Sequence, residues 1–380
     1  MAENVLIAID SFKGSMSSLE AGNAAKAGVD SVWPDAHVTV KALADGGEGT
    51  YRTLIDALGG KIVSVRVSDP LGRKIDAHYG ILSDGTAVLE MAEASGIALL
   101  DSNELNPLLA NTFGFGQMLV DAYERGARDF IIGIGGSATT EAGIGMLHAL
   151  GFRFYDKDNN LLQPVIGNMD LIERIDDSYI DDEMLDIQIQ LACDVTNPLC
   201  GDRGAVAVFG PQKGVKDDQI ELLDNKLLSF SKLVNRYTGK NMADMPGAGA
   251  AGGLGFTLAS FFKNIAVTSG ADLIIQKLGI MEAIQSADIV ITGEGRIDNQ
   301  TAQGKGPGKI AALAKERGCK VYGMAGNLDM PYDKCNSIFD EIVCITPKDM
   351  PLAIAMEPEI AMENMKKAVI QLLKNKRTFI

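Results

Sequence analysis

The amino-acid sequence predicts an α/β protein made of two α/β domains, one of which the other interrupts. Three observations lead there. Short β-branched runs alternate with helix-length amphipathic segments at both ends of the chain, and strands separated by helices demand a parallel sheet. Between those ends the strands crowd together and are joined by hairpin turns, the grammar of an antiparallel meander. The length of 380 residues provides, at roughly 150 residues per domain, for two separate cores. The expectation is a discontinuous domain over residues 1–62 and 285–380, whose parallel βα sheet is built from both chain ends. An inserted domain with a mixed sheet occupies residues 63–284.

Residues 5–9 form the first β-branched run and suit a buried strand. Ser17 stands three residues ahead of Glu20, the spacing of a capping box, and the helix that it opens stops before Pro34. Residues 38–43 read as a second strand. A helix over residues 50–58 carries Leu54, Ile55 and Leu58 on one side and ends at Gly59. Strands over residues 62–67, 77–82 and 87–91 follow, joined through Asp69-Pro70-Leu71-Gly72 and Ser83-Asp84-Gly85. Further strands are expected over residues 129–133, 187–192 and 205–209, with helices over residues 117–125, 140–150 and 218–237. The last part returns to alternation, with strands over residues 288–292, 320–325 and 341–345 and helices over residues 307–317 and 359–373.

Composition removes several classes of function. There are 35 basic and 50 acidic residues, a net charge of −15 with three His. A protein of that sign is a poor general ligand for nucleic acid or acidic membranes, and 6% aromatic residues leave little for stacking platforms. The 46% hydrophobic content excludes wholesale disorder. No apolar run approaches the ~18 residues that span a bilayer. The first apolar stretch lacks the basic lead and cleavage site of a signal peptide. Cys193, Cys200, Cys319, Cys335 and Cys344 include no C-x-x-C pair and read as reduced thiols of a cytosolic protein. His37, His78 and His148 show no zinc spacing, and His148 reads as a packed core residue.

Polar and Gly-rich clusters stand directly after expected strands, the edge where open α/β sheets bind ligands. Asp10-Ser11-Phe12-Lys13-Gly14-Ser15 precedes a helix, where a Lys, hydroxyls and free backbone N–H groups hold phosphate; the alternative is a Gly turn with an N-cap. Ala44-Asp45-Gly46-Gly47-Glu48-Gly49-Thr50 suits magnesium, which prefers oxygen ligands, or is an acidic loop capping its helix. The run from Gly133 to Thr140, with Gly135, Gly136, Ser137 and Thr139, resembles an anion cradle without the Lys of a Walker loop, or a tight strand–helix connection. Cys193-Asp194-Val195-Thr196-Asn197-Pro198 offers a general base or metal ligand at a strand end, or an Asx turn. The strongest cluster runs from Thr292 to Thr301 and on through Lys305. Glu294, Asp298, Arg296 and Lys305 together match what phosphoryl transfer requires, against a solvated loop whose charges neutralise each other. The G-x-G-x-x-G stretch from Gly247 to Gly252 has no strand before it and so lacks the context of a dinucleotide fingerprint.

Six motifs then appear in one order: Asp10-Ser-Phe-Lys-Gly-Ser15, Ala44-Asp-Gly-Gly-Glu-Gly49, Asn111-Thr-Phe-Gly-Phe-Gly116, Gly135-Gly-Ser-Ala-Thr-Thr140, Asp194-Val-Thr-Asn-Pro198 and Thr292-Gly-Glu-Gly-Arg-Ile-Asp298. In these the sequence resembles the bacterial type I glycerate kinases, over essentially its whole length. The resemblance implies transfer of the γ-phosphoryl of ATP to D-glycerate with magnesium, in the breakdown of small organic acids. It implies 2-phosphoglycerate as the usual product, 3-phosphoglycerate being the other outcome, and two α/β domains, one flavodoxin-like and one like a restriction-endonuclease core. Glycerate and ATP–Mg2+ are then expected to meet in the cleft between the domains. Residue chemistry gives Lys13 or Arg296 to the substrate carboxylate, and Lys305 with the 135–140 loop to the phosphates. Asp45, Glu294 and Asp298 are the magnesium candidates, and Asp194 orients or deprotonates the hydroxyl. Asp10, Ser15, Asn111 and Asn197 complete the expected binding residues. The runner-up is an NAD-dependent oxidoreductase acting on a small hydroxy acid through the 247–252 loop; a non-catalytic metal- or anion-binding protein is a third reading. Oligomeric state is not legible.

Overall fold

The computed structural model describes residues 3–44, 47, 49–298, 301, 306–328, 338–374 and 376. Among them the strands are β1 (Asn4–Ile9), β2 (His37–Ala42), β3 (Gly60–Ser68), β4 (Lys74–Leu82), β5 (Ala87–Glu90), β6 (Asp129–Gly133), β7 (Arg153–Tyr155), β8 (Arg174–Asp176), β9 (Gln188–Ala192), β10 (Asn264–Thr268), β11 (Ile289–Ile297), β12 (Lys320–Leu328) and β13 (Glu341–Cys344). By internal contacts the chain forms two units, one of Met1–Asp45, Asp56–Leu58 and Ala271–Ile380, the other of Gly46–Ile55 and Gly59–Gly270. The sequence expectation puts the seams near residues 62 and 285.

The first unit is a parallel sheet in the order β13-β12-β11-β1-β2. Strand β1 lies between strands from opposite ends of the chain, with Val5 opposite both Val38 and Ile289. Its apolar residues are buried on both sides of the sheet, as the helical crossovers of a parallel sheet require. Ser17 and Glu20 form the expected capping box at the head of the helix Ser18–Val32. That helix packs on the C-terminal helix Pro358–Lys374, and a Cβ at Gly28 would stand 2.8 Å from Cβ of Val369. The core of this unit combines Val5, Ile7, Val29, Ile291, Met365 and Val369.

The second unit holds a mixed sheet in the order β10-β9-β6-β5-β4-β3. Strands β10, β9, β6 and β5 are parallel, whereas β5, β4 and β3 form the antiparallel meander. Its core includes Tyr79, Leu89, Phe115, Phe130, Leu191 and Phe256.

Three sequence expectations change. Residues 205–209 are a helix, Ala205–Phe209, and not a strand. Both edges of β9 are already occupied, by β6 and β10, so this β-branched stretch cannot pair with the strand that precedes it in the chain. Strand β10 goes unread in the sequence because three of its five residues are exposed and the other two are only half-buried. Strand β11 runs five residues past its expected end at Thr292, because β12 accompanies it with Glu294 opposite Ala325 and Arg296 opposite Asn327. Among the described residues, no helix is long and apolar enough to cross a membrane.

Candidate active site

At the carboxyl edge of the first unit's sheet, one buried hydroxyl ties two loops together. Ser18 Oγ donates to Ile9 O at 2.6 Å and accepts from Leu43 N at 2.7 Å, fixing the ends of β1 and β2. Asp10 follows β1; its N–H donates to Gly293 O of β11 at 2.8 Å, and its Oδ1 accepts from Ser11 N at 2.6 Å. Phe12 and Met16 then pair across a tight turn and are both buried. Gly14, at φ +73°, supplies the left-handed step that this turn needs, and exposed Lys13 sits at its tip.

The extended β11 carries Glu294 and Arg296 on the strand itself, two residues apart and therefore on one side of the sheet. Thr301 holds the following bend: its Oγ1 donates to Glu294 Oε1 at 2.6 Å and accepts from Asp298 N at 3.2 Å. Asp10, Lys13, Ser15, Glu294, Arg296 and Asp298 all line one cavity of about 910 Å³, whose apolar wall is Phe12, Ile345, Met350, Leu352 and Met356. Ser15 Oγ is buried there without a hydrogen-bond partner, an arrangement that costs about 1–3 kcal/mol unless a ligand or water supplies one. Among the described residues no three acidic, His or Cys side chains form a ready-made metal cage. Magnesium does not need one, since it keeps several waters and binds through one or two carboxylates plus substrate phosphates; Glu294 and Asp298 fit that habit. The remaining candidates from the clusters of the first unit, Asp45 and Lys305, lie outside the described residues.

In the second unit, β6 and β9 run side by side with Gly133 opposite Ala192, so the 135–140 turn and the Asp194 loop leave the sheet at the same edge. Asp194 is exposed, and its Oδ1 accepts from Gly270 N at 3.0 Å. Gly135 and Gly136 are exposed, whereas Ser137 and Thr139 are buried. Asn111 serves its own loop: Oδ1 accepts from Phe113 N at 3.0 Å and Nδ2 donates to Leu109 O at 3.2 Å. Asn197 likewise donates to Arg203 O at 2.7 Å. His148 is half-buried against Phe113, and burial holds its imidazole below the usual range.

Three charged residues here escape sequence reading. Glu90, at the end of β5, accepts from Gly49 N at 2.9 Å and Tyr51 N at 2.8 Å, capping the helix Thr50–Leu58 from another strand. Glu141 is fully buried, its carboxyl raised by desolvation, and accepts from Thr112 N and Oγ1 and from Gly143 N. Lys213 is buried beneath the 135–140 turn. Only Glu141 adjoins a motif; nothing in Pro211-Gln-Lys-Gly214 distinguishes Lys213 from a surface turn. The 247–252 stretch enters a single 3₁₀ turn, Ala250–Gly253, packed so closely that a Cβ at Gly252 would lie 2.0 Å from Thr139 O. No strand precedes it, so nothing supports the dinucleotide reading.

Known proteins resemble this chain over most of its length. The model of the glycerate kinase family matches residues 5–375. A glycerate kinase of Halalkalibacterium halodurans is 42% identical over 358 residues, 93% of each chain. The glycerate 2-kinase of Escherichia coli is 42% identical over 325 residues, 85% of each. A crystal structure assigned as glycerate kinase 2 from Salmonella typhimurium LT2 superposes with a TM-score of 0.89 at 37% identity, covering 100% of this chain and 99% of that one. The chain belongs to the glycerate kinase family of enzymes.

Proposed function

We propose that this enzyme transfers the γ-phosphoryl group of ATP to D-glycerate with magnesium, giving 2-phosphoglycerate, in the cytoplasm. The observation that carries the reading is the cavity at the carboxyl edge of the first unit's sheet. At about 910 Å³ it is far larger than a three-carbon acid needs and lies near the top of the ~300–1,000 Å³ range of small-molecule sites. It offers carboxylates, cations and an apolar wall together, the mixture that a nucleotide triphosphate and its cation call for.

Phosphoryl transfer asks of a protein mainly positioning and charge neutralisation. In this reading Glu294 and Asp298 would hold magnesium, with Asp45 as a further candidate ligand, and the ion would neutralise charge on the phosphates. Arg296 or Lys13 clamps the glycerate carboxylate, the guanidinium through two parallel hydrogen bonds. Lys305 and the 135–140 turn hold phosphate oxygens, and Asp194, steadied by Gly270 N, accepts the hydroxyl proton. We take the two units as the two domains and propose that their residues serve one set of reactants; the complementary residue chemistry of the two sets supports this.

An ADP-coupled assay tests the reading. ADP release is expected only with both D-glycerate and magnesium present, and phosphorus NMR is expected to show the 2-phosphate. A 3-phosphate would revise the position of transfer. Absence of ADP release with glycerate would end the proposal.

A further inference from the structure

Lys213 closes the turn Pro211–Lys213 and is 2% exposed. Its Nζ donates to Ser137 Oγ and to Thr139 O, both at 2.7 Å. From the other end of the same segment, Glu141 holds Gly143 N at 2.6 Å and Thr112 Oγ1 at 2.6 Å. Two buried charges thus grip one short stretch of chain, each through its backbone or hydroxyls. Burying an ammonium without a bound carboxylate is costly, so stability alone does not account for this lysine. Two further observations point to a missing partner. The hydroxyls of Thr139 and Ser95 are fully buried without any hydrogen-bond partner, and buried hydroxyls are seldom left so. Ser95 belongs to the same assembly, its carbonyl accepting from Ala138 N at 2.9 Å. Above them Gly135 and Gly136 are exposed, Gly136 at φ +71°.

We propose that Lys213 is a positioning residue for anion binding by the 135–140 turn: it fixes Ser137 and Thr139 and sets positive charge beneath the exposed Gly135–Gly136 backbone, the ligand class being a phosphoryl group. This rests on the reading that the turn holds phosphate oxygens of ATP. Burial pulls the ammonium down to about 7, with Glu141 the charged group that opposes the fall. An anion over the turn draws it back to the charged form, so nucleotide binding above neutral pH takes up a proton.

Three measurements on the full chain decide the matter. K213M, its fold checked by circular dichroism and thermal midpoint, is expected to lose about 10- to 100-fold in kcat/KM for ATP, the size of a lost charge-assisted hydrogen bond. KM for D-glycerate is expected to move less than about 3-fold, as a merely structural defect would not spare it. A folded K213M with unchanged kcat/KM for ATP overturns the proposal. G135D separates it from the reading beneath, because a Cβ at Gly135 meets nothing within 4 Å and the new carboxylate repels an anion. If G135D leaves ATP use intact, the turn holds no phosphate and the role of Lys213 falls with it. If G135D is impaired and K213M is not, the turn keeps its role and Lys213 loses its own. Should K213M not fold, calorimetry of ATP binding to the wild type at pH 8 in buffers of different ionisation enthalpy is expected to show proton uptake. No uptake overturns the proposal.

Discussion

Cys344 lines the large cavity and is exposed, while the other described thiols are held back by burial. Desolvation pushes Cys200 up to about 12, with Asp224 and Asp244 adding to the shift, and raises Cys193 and Cys319 as well. The thiolate is the reactive form, so iodoacetamide at pH 7 is expected to modify Cys344 first among these four. ATP with magnesium is expected to slow that modification at least about tenfold if the nucleotide fills the cavity; peptide mass spectrometry reads both. Prior modification of Cys200, or no protection by ATP, contradicts the assignment. At this scale the sequence shows which residue types stand after which strands, since Asp10, Glu294 and Asp194 each follow a recognisable apolar run. It does not show burial. Lys213 and Glu141 are charged residues whose buried surroundings come from segments far along the chain, and no local pattern records that.

Among the elements, the capping box of the helix Ser18–Val32 is the clearest case of local chemistry deciding structure. Ser17 Oγ accepts from Glu20 N at 3.3 Å, and Ser17 N donates to Glu20 Oε2 at 2.8 Å. S17A is expected to cost about 1 kcal/mol, the usual worth of such a cap, measured as a lower urea midpoint with unchanged slope. The backbone hydrogen bond from Ser17, then that from its hydroxyl, lowers the Glu20 carboxyl from its ordinary 4.5. A depressed carboxyl stabilises the fold fully above its unfolded value and loses that contribution as pH falls through the folded one. The penalty of S17A is therefore expected to shrink when unfolding is repeated below pH 4. Such caps, Gly stops and hairpin turns were legible because their causes lie within four residues. The helix Ala205–Phe209 was not, because its alternative was denied by the neighbours of β9 rather than by its own residues.

The hydrophobic cores described for the two units draw on different stretches of the chain. Trp33, the single tryptophan, packs against the core of the first unit. Its fluorescence follows that unit during urea unfolding, whereas far-UV circular dichroism follows both. The two cores predict transitions that do not coincide between these probes; one shared midpoint would mean that the units unfold as a single block. The change from helical alternation to hairpins is the ground in the sequence for expecting an inserted domain. The seam near Ala271 was less visible, because the helices Gly270–Lys277 and Ile280–Gln285 carry no composition break from what precedes them.

The position of β1 between β2 and β11 has a consequence during synthesis. At about 5–20 residues per second, a ribosome needs roughly 15–60 s to travel from the end of β1 to the start of β11. Throughout that interval β1 offers one unpaired edge and the helix Ser18–Val32 lacks its C-terminal packing partner. Bare strand edges invite pairing with other chains, so β1 is expected to be open to such pairing until β11 emerges.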